Sequence, residues 1–178
     1  MTLKGWIVLT TLLLLSLPGL NHAGEIRDPA TFFFDQSMGN LQQEAAIART
    51  EGKQGIIILF EQASCSECAK MATAVLSHAS VQKFYHKNFR ILQVDINADA
   101  PLIDFTGQKM AQKDFASKYR VHAAPVSMFF NLDGKLMLRY AGVARDPNEF
   151  IWLGEFVATG DYKDENFTVY KRERMAEK

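Results

Sequence analysis

The stretch Gly55-Ile56-Ile57-Ile58-Leu59-Phe60-Glu61-Gln62-Ala63-Ser64-Cys65-Ser66-Glu67-Cys68 decides how the rest of the chain is read. Its first six residues are continuously apolar and rich in β-branched side chains, the pattern of a central strand buried on both faces. Ser64, with Glu67 three residues on, has the form of a capping box and predicts a helix running to about Leu76. Cys65 and Cys68, the only cysteines of the chain, therefore fall where a strand hands over to a helix. A thiol in the first turn of a helix lies beside unpaired backbone N–H groups and the positive end of the macrodipole, which favours the reactive thiolate. Cys68, one turn on, is within reach of Cys65.

Other uses of the pair fit less well. A purely structural disulfide would close a loop of four residues, which the chain-entropy model values at only about 2 kcal/mol. Structural zinc needs four ligands, and His22, His78, His86 and His122 form no short-spaced pair. Covalent haem needs a histidine after the second cysteine, where Ala69 stands. No metal and no cofactor is expected beyond the Cys65–Cys68 couple itself.

Lys4, the apolar run Trp6 to Leu17, Pro18-Gly19 and the small Ala23 read as a secretory signal peptide over residues 1–23. An uncleaved membrane anchor is the alternative, although the run is shorter than the 20 or so residues of a spanning helix. About 155 residues remain, enough to bury a core without disulfides. Two cysteines in an exported chain of that size point to chemistry rather than scaffolding. The formal net charge is +0 and acids interrupt Lys171-Arg172-Glu173-Arg174, so nucleic acid is not expected as a partner.

The remaining pattern is one α/β domain followed by a charged extension over residues 161–178. A helix is expected over Asn40 to Lys53, with Leu41, Ala45 and Ala48 on its inner face. A short helix over Ser80 to Lys87 precedes a second strand over Phe89 to Ile96. Asn97 to Lys109 reads as a loop and Ala111 to Tyr119 as a helix. Val126 to Phe130 and Lys135 to Ala141, joined through Asp133-Gly134, form an antiparallel hairpin. Asp146 caps a helix with Pro147 at its first position. Phe167 to Ala176 is a short helix read as a solvated tail, the alternative being that it packs on the domain through Phe167, Val169 or Tyr170. Met71 and Phe60 read as core, His78 and His86 as surface, and His122 as a neighbour of the site.

In this order of elements the chain resembles the thioredoxin superfamily over about Gly39 to Thr159. A second motif carries the match: Ala116, Tyr119, Val121, Pro125, Phe129, Phe130 and Gly134 are spaced as A-x-x-Y-x-V-x-x-x-P-x-x-x-F-F-x-x-x-G. The segment around Asp95-Ile96-Asn97 and Asp104-Phe105-Thr106-Gly107, the exported N-terminus and the C-terminal helix look most like SoxW-type periplasmic thioredoxins. The resemblance implies a thioredoxin-like domain over residues 24–160, a mixed sheet flanked by helices, and a cis peptide bond before Pro125. It implies that the Ala124 backbone pairs with an extended substrate segment by strand addition. It implies a periplasmic disulfide reductase acting on protein disulfides and fed by a transmembrane disulfide reductase. A sulfur-carrier protein or apocytochrome c is the target it suggests.

The chain departs from that family at informative places. Trp-Cys-Gly-Pro-Cys is replaced by Ser64-Cys65-Ser66-Glu67-Cys68, and the buried Asp six residues before the first cysteine is Leu59. Ser64, Ser66, Glu67 and Glu61 are the side chains left to tune the couple, with Glu61 and Glu67 the nearest acids. The charge of Glu67 opposes the helix dipole, giving a less acidic Cys65 and a more reducing disulfide. Two rivals stand beside the reductase: a binding module with incidental cysteines, and an oxidase or isomerase of the same fold.

Overall fold

A computed structural model describes residues 25–176; the expected signal peptide and its cleavage site lie outside the described residues. Strands β1 (Gly55–Glu61), β2 (Phe89–Asp95), β5 (Val126–Phe130) and β6 (Leu136–Ala141) form one sheet in the order β2-β1-β5-β6. β1 runs parallel to β2, pairing Gly55 with Phe89 through Glu61 with Asp95, and antiparallel to β5, pairing Ile56 with Phe130 through Phe60 with Val126. It is thus bonded along both edges, as its unbroken apolar run requires.

Alternation along β1 sorts the core into two layers. Ile56, Ile58 and Phe60 pack with Leu41, Ala45 and Ala48 of α2 (Leu41–Thr50) and with Phe115 and Ala116 of α5 (Gln112–Lys118). Ile57 and Leu59 face the other way, onto Met71 of α3 (Ser66–Met71), Val75 and Leu76 of the π-helical turn that continues it (Ala72–Leu76), and α4 (Ala79–Asn88) and α6 (Pro147–Thr159). Tyr85 of α4 stacks on Phe150 of α6 at 4.4 Å between ring centres and donates its hydroxyl to the Phe150 carbonyl at 2.7 Å. Asn40 caps α2 by accepting from Gln42 and Gln43, and Asp146 caps α6 by accepting from Glu149. Met71 and Phe60 are core residues, as their pattern suggests.

Two expectations change, and one element is new. First, the segment read as a loop contains a small hairpin, β3 (Pro101–Ile103) with β4 (Lys109–Ala111). Three-residue strands carry too little alternation to register as a pattern. This hairpin lays Phe105 on Phe130, and Gly134 in the β5–β6 turn, at φ +76°, has no room for a Cβ against Phe105. Second, α7 (Phe167–Ala176) is not a solvated tail. Phe167 and Tyr170 pack on Phe156 of α6 at 5.6 and 5.0 Å, Lys171 pairs with buried Glu149, and Arg174 pairs with Glu155. Of the two readings of this segment, the chain adopts the packed one, through Phe167 and Tyr170. The new element is a short helix α1 (Pro29–Phe32) near the start of the expected domain, capped by Asp28.

Asp104, 1% exposed at the tip of the β3–β4 hairpin, binds the hairpin to α5. Its carboxylate accepts from the Thr106 amide and hydroxyl, the Gln108 amide and Lys118 Nζ at 2.6–2.9 Å. Burial opposes the charge, but Lys118, Thr106 and the two amides outweigh it and hold the carboxyl at about 2. A lowered carboxyl pKa contributes stability that is complete above the unfolded value near 4 and is lost as pH falls towards 2. Asp104→Asn should therefore cost about 2 kcal/mol at pH 7, and urea unfolding between pH 5 and 2 should show a correspondingly shallower acid loss in the variant.

Candidate active site

β1 ends at Glu61 and the chain turns through Gln62, Ala63 and Ser64 into α3. The expected capping box does not form. Ser64 has φ +58°, a left-handed conformation in which its side chain cannot reach the helix amides. Cys65, at φ −89° and ψ 106°, takes the cap position, and its Sγ accepts from the Cys68 amide at 3.0 Å. The cap is thus the sulfur itself. An amide N–H directed at sulfur favours its anionic form, so the backbone of α3 supports Cys65 whenever it carries the charge.

Cys65 and Cys68 form a disulfide with Cα atoms 5.2 Å apart. The two ends of it differ in access. Cys65 is partly exposed, whereas Cys68 is only 7% exposed, on the face of α3 that turns inward with Met71. The Ala124–Pro125 peptide bond is cis, and the Ala124 carbonyl oxygen lies 3.6 Å from Cys65 Sγ. That oxygen is an acceptor for the Cys65 thiol proton once the disulfide is opened. Gly142 donates to the Pro125 carbonyl at 2.9 Å, tying the end of β6 to the same corner.

Glu61 continues the face of β1 that carries Ile57 and Leu59, and so lies on the cysteine side of the sheet. It lines a hollow of about 480 Å³ together with Gln62, Ser64, Cys65, Cys68 and Ala69. Burial pushes its carboxyl above the ordinary range; Gln93, donating at 2.5 Å, works against that push and Asp95 adds to it. Leu59, where the related fold carries an acid, is 1% exposed in the apolar layer. Ser66 and Glu67 are exposed on the first turn of α3, and Glu67 lines a different hollow, beside Pro125. The structure therefore places Cys65, Cys68, Ser64, Ser66 and Glu61 around one hollow and Glu67, Ala124 and Pro125 around its neighbour.

His122 borders the second hollow, while His78 and His86 lie at the two ends of α4. Arg120 and Arg139 also line it, and sequence reasoning passed over both. Arg120, at φ +54°, follows α5, and Arg139 comes from β6; nothing in their separate sequence contexts joins them. Among the described residues no three His, Cys, Asp or Glu side chains gather as a metal site would need.

The model of the family described as thioredoxin-like domain matches residues 41–158. A thioredoxin-fold protein from Helicobacter pylori superposes with a TM-score of 0.59 at 18% identity, over 71% of this chain and 88% of that one. A thioredoxin from Thermus thermophilus gives 0.53 at 20% identity, over 75% and 88%. A protein described as a putative disulphide-isomerase from Bacteroides thetaiotaomicron gives 0.52 at 21%, over 75% and 94%. At these identities the structures attest the fold alone. Comparison with curated proteins finds no significant sequence match. With the family model spanning the sheet and its helices, and the cysteine pair closed at the start of α3, the chain belongs to the thioredoxin-like domain family and is a thiol–disulfide oxidoreductase.

Proposed function

We propose that the protein is an exported, periplasmic disulfide reductase of the SoxW type, acting on protein disulfides. The observation that carries this reading is the unequal access of the two sulfurs: an approachable Cys65 facing the Ala124 carbonyl, and a covered Cys68 behind it. In the reduced protein the Cys65 thiolate attacks one sulfur of a target disulfide. A Cys65–target bond forms, the target S–S bond breaks, and the departing thiolate takes a proton from water. Cys68 then gives its proton to Glu61, directly or through one water in the hollow that both line. The Cys68 thiolate attacks Cys65 Sγ, releases the second target thiolate and closes Cys65–Cys68. Two electrons have passed to the target.

Ala124 and Pro125 hold the target as an added strand segment beside Cys65. A transmembrane disulfide reductase returns the electrons, since an oxidising compartment supplies none. The cysteine of a sulfur-carrier protein or of apocytochrome c is the target that the family resemblance suggests. Export rests on the N-terminal segment Lys4 to Ala23. Exposed Glu67 works against the helix dipole at Cys65, and Ser64 and Ser66 add no positive charge, which favours a reducing couple.

Equilibration with defined thiol–disulfide buffers should place the couple near −270 mV; a value of about −120 to −180 mV would overturn the reductase reading in favour of an oxidase or isomerase. Iodoacetamide should modify Cys65 of the reduced protein about tenfold or more faster than Cys68, read by peptide mass mapping, because alkylation follows thiolate character and access. Cys68→Ser should accumulate target-linked adducts, and Cys65→Ser should form none. Glu61→Gln should slow release of the Cys65-linked target by about a hundredfold at pH 7, the low end of general-base effects. The same variant tests its environment by stability. A carboxyl pushed up by burial costs the fold above that raised pKa and not below the unfolded value, so Glu61→Gln should be more stable than wild type at pH 7, with the gain vanishing by about pH 4.

A further inference from the structure

Glu61, Gln93 and Asp95 share one face of the sheet. In the parallel pairing of β1 with β2, Gln93 lies opposite Leu59 and Asp95 opposite Glu61, and the same alternation sends Ile57, Leu59, Phe89 and Ile91 into the layer on the cysteine side. Gln93 is therefore the diagonal neighbour of Glu61 on that face, and its Nε2 donates to Glu61 Oε2 at 2.5 Å. Among the described residues this is the one hydrogen bond that the carboxylate receives, and Oε1 has none. Asp95 is the charged group that faces Glu61 from β2, and its own Oδ1 accepts from the Asn97 amide at 2.8 Å. No cation lines the hollow that Glu61 shares with Cys65 and Cys68. Burial and Asp95 both work against the Glu61 charge, so the Gln93 amide is the group that supports it.

We propose that Gln93 is a positioning residue for the resolving step: by holding Oε2 it presents Oε1 of the Glu61 carboxylate to the Cys68 thiol. The proposal rests on the reading of Glu61 as proton acceptor and adds the side chain that makes it one. In that step the Cys68 proton passes to Glu61 Oε1, directly or through one water. The Cys68 thiolate attacks Cys65 Sγ, and the bond from Cys65 to the target sulfur breaks with its electron pair leaving on the target thiolate. Gln93 does not line the hollow and acts only through Glu61. Without its amide, the partly buried carboxylate loses its one donor, keeps a proton to higher pH and is free to turn away. A neutral donor suits this task, because a cation in its place would stabilise the carboxylate so far that it would accept a proton poorly.

The test mixes the pre-reduced protein with limiting dithiobisnitrobenzoic acid in a stopped-flow instrument and follows the coloured thiolate. The first release marks attack by Cys65, and the second, a first-order phase, marks resolution by Cys68. Gln93→Ala should leave the first phase unchanged and slow the second by about fivefold at pH 7. The acid limb of the second phase should move to higher pH in Gln93→Ala and to lower pH in Gln93→Lys. In a Glu61→Gln background Gln93→Ala should add nothing, because the group it serves is gone. A wild-type second phase and acid limb in Gln93→Ala would overturn the proposal and leave Glu61 as the acceptor. Equal slowing by Gln93→Ala with and without Glu61 would overturn it too, since Gln93 would then act elsewhere. A wild-type second phase in Glu61→Gln alone would remove the acceptor reading and the proposal with it. Gln93 is exposed on β2, so the variants should keep the fold, which circular dichroism checks.

Discussion

The disulfide is only as well placed as the end of β1. That strand is hydrogen-bonded on both edges and packed on both faces, so every residue from Ile56 to Phe60 is fixed by neighbours on four sides. Each fully buried aliphatic or aromatic side chain in it contributes about 1.5–3 kcal/mol. The chain leaves this rigid rod at Glu61 and reaches Cys65 within four residues, so the sulfur inherits the strand's position. The left-handed Ser64 is the cost of turning that sharply, a conformation worth about 1–2 kcal/mol against an ordinary one. The packing beneath it outweighs that strain.

Around the sulfurs the structure separates two kinds of task. On the side of Glu61 a partly buried carboxyl shares a hollow with both cysteines and is held there against its own preference for water. Leu59, one step deeper on the same face of the strand, is given over to the apolar layer beneath α3. On the other side, the cis Ala124–Pro125 corner, Gly142, Arg120 and Arg139 line the second hollow. Cys65 stands where the two hollows meet.

The additions to the fold brace it from further away. The β3–β4 hairpin packs Phe105 on Phe130 of β5 and uses buried Asp104 to hold α5. α7 covers α6 through Phe167 and Tyr170, and its Lys171 pairs with buried Glu149, which also accepts from Tyr140 of β6 at 3.0 Å. Both additions join elements that also reach the site, β5 and β6.

The sequence by itself determined the central strand, the placing of Cys65 and Cys68 at a strand-to-helix junction, the β5–β6 hairpin and the cap at Asp146. These are local matters: hydrophobic period, turn residues and capping side chains act over a few neighbours. The capping box was misread by one position because Ser64 and Cys65 are adjacent and only the backbone angle decides which of them can reach the amides. The three-residue strands of the small hairpin left too short a pattern to read, and whether Phe167 and Tyr170 pack or stay solvated depends on the facing α6 rather than on their own segment. Only the tertiary structure decided that Glu61 faces the sulfurs, that Glu67 does not share their hollow, and that Arg120 and Arg139 meet. Those facts depend on register between strands far apart in the chain, and no spacing within a single segment encodes it.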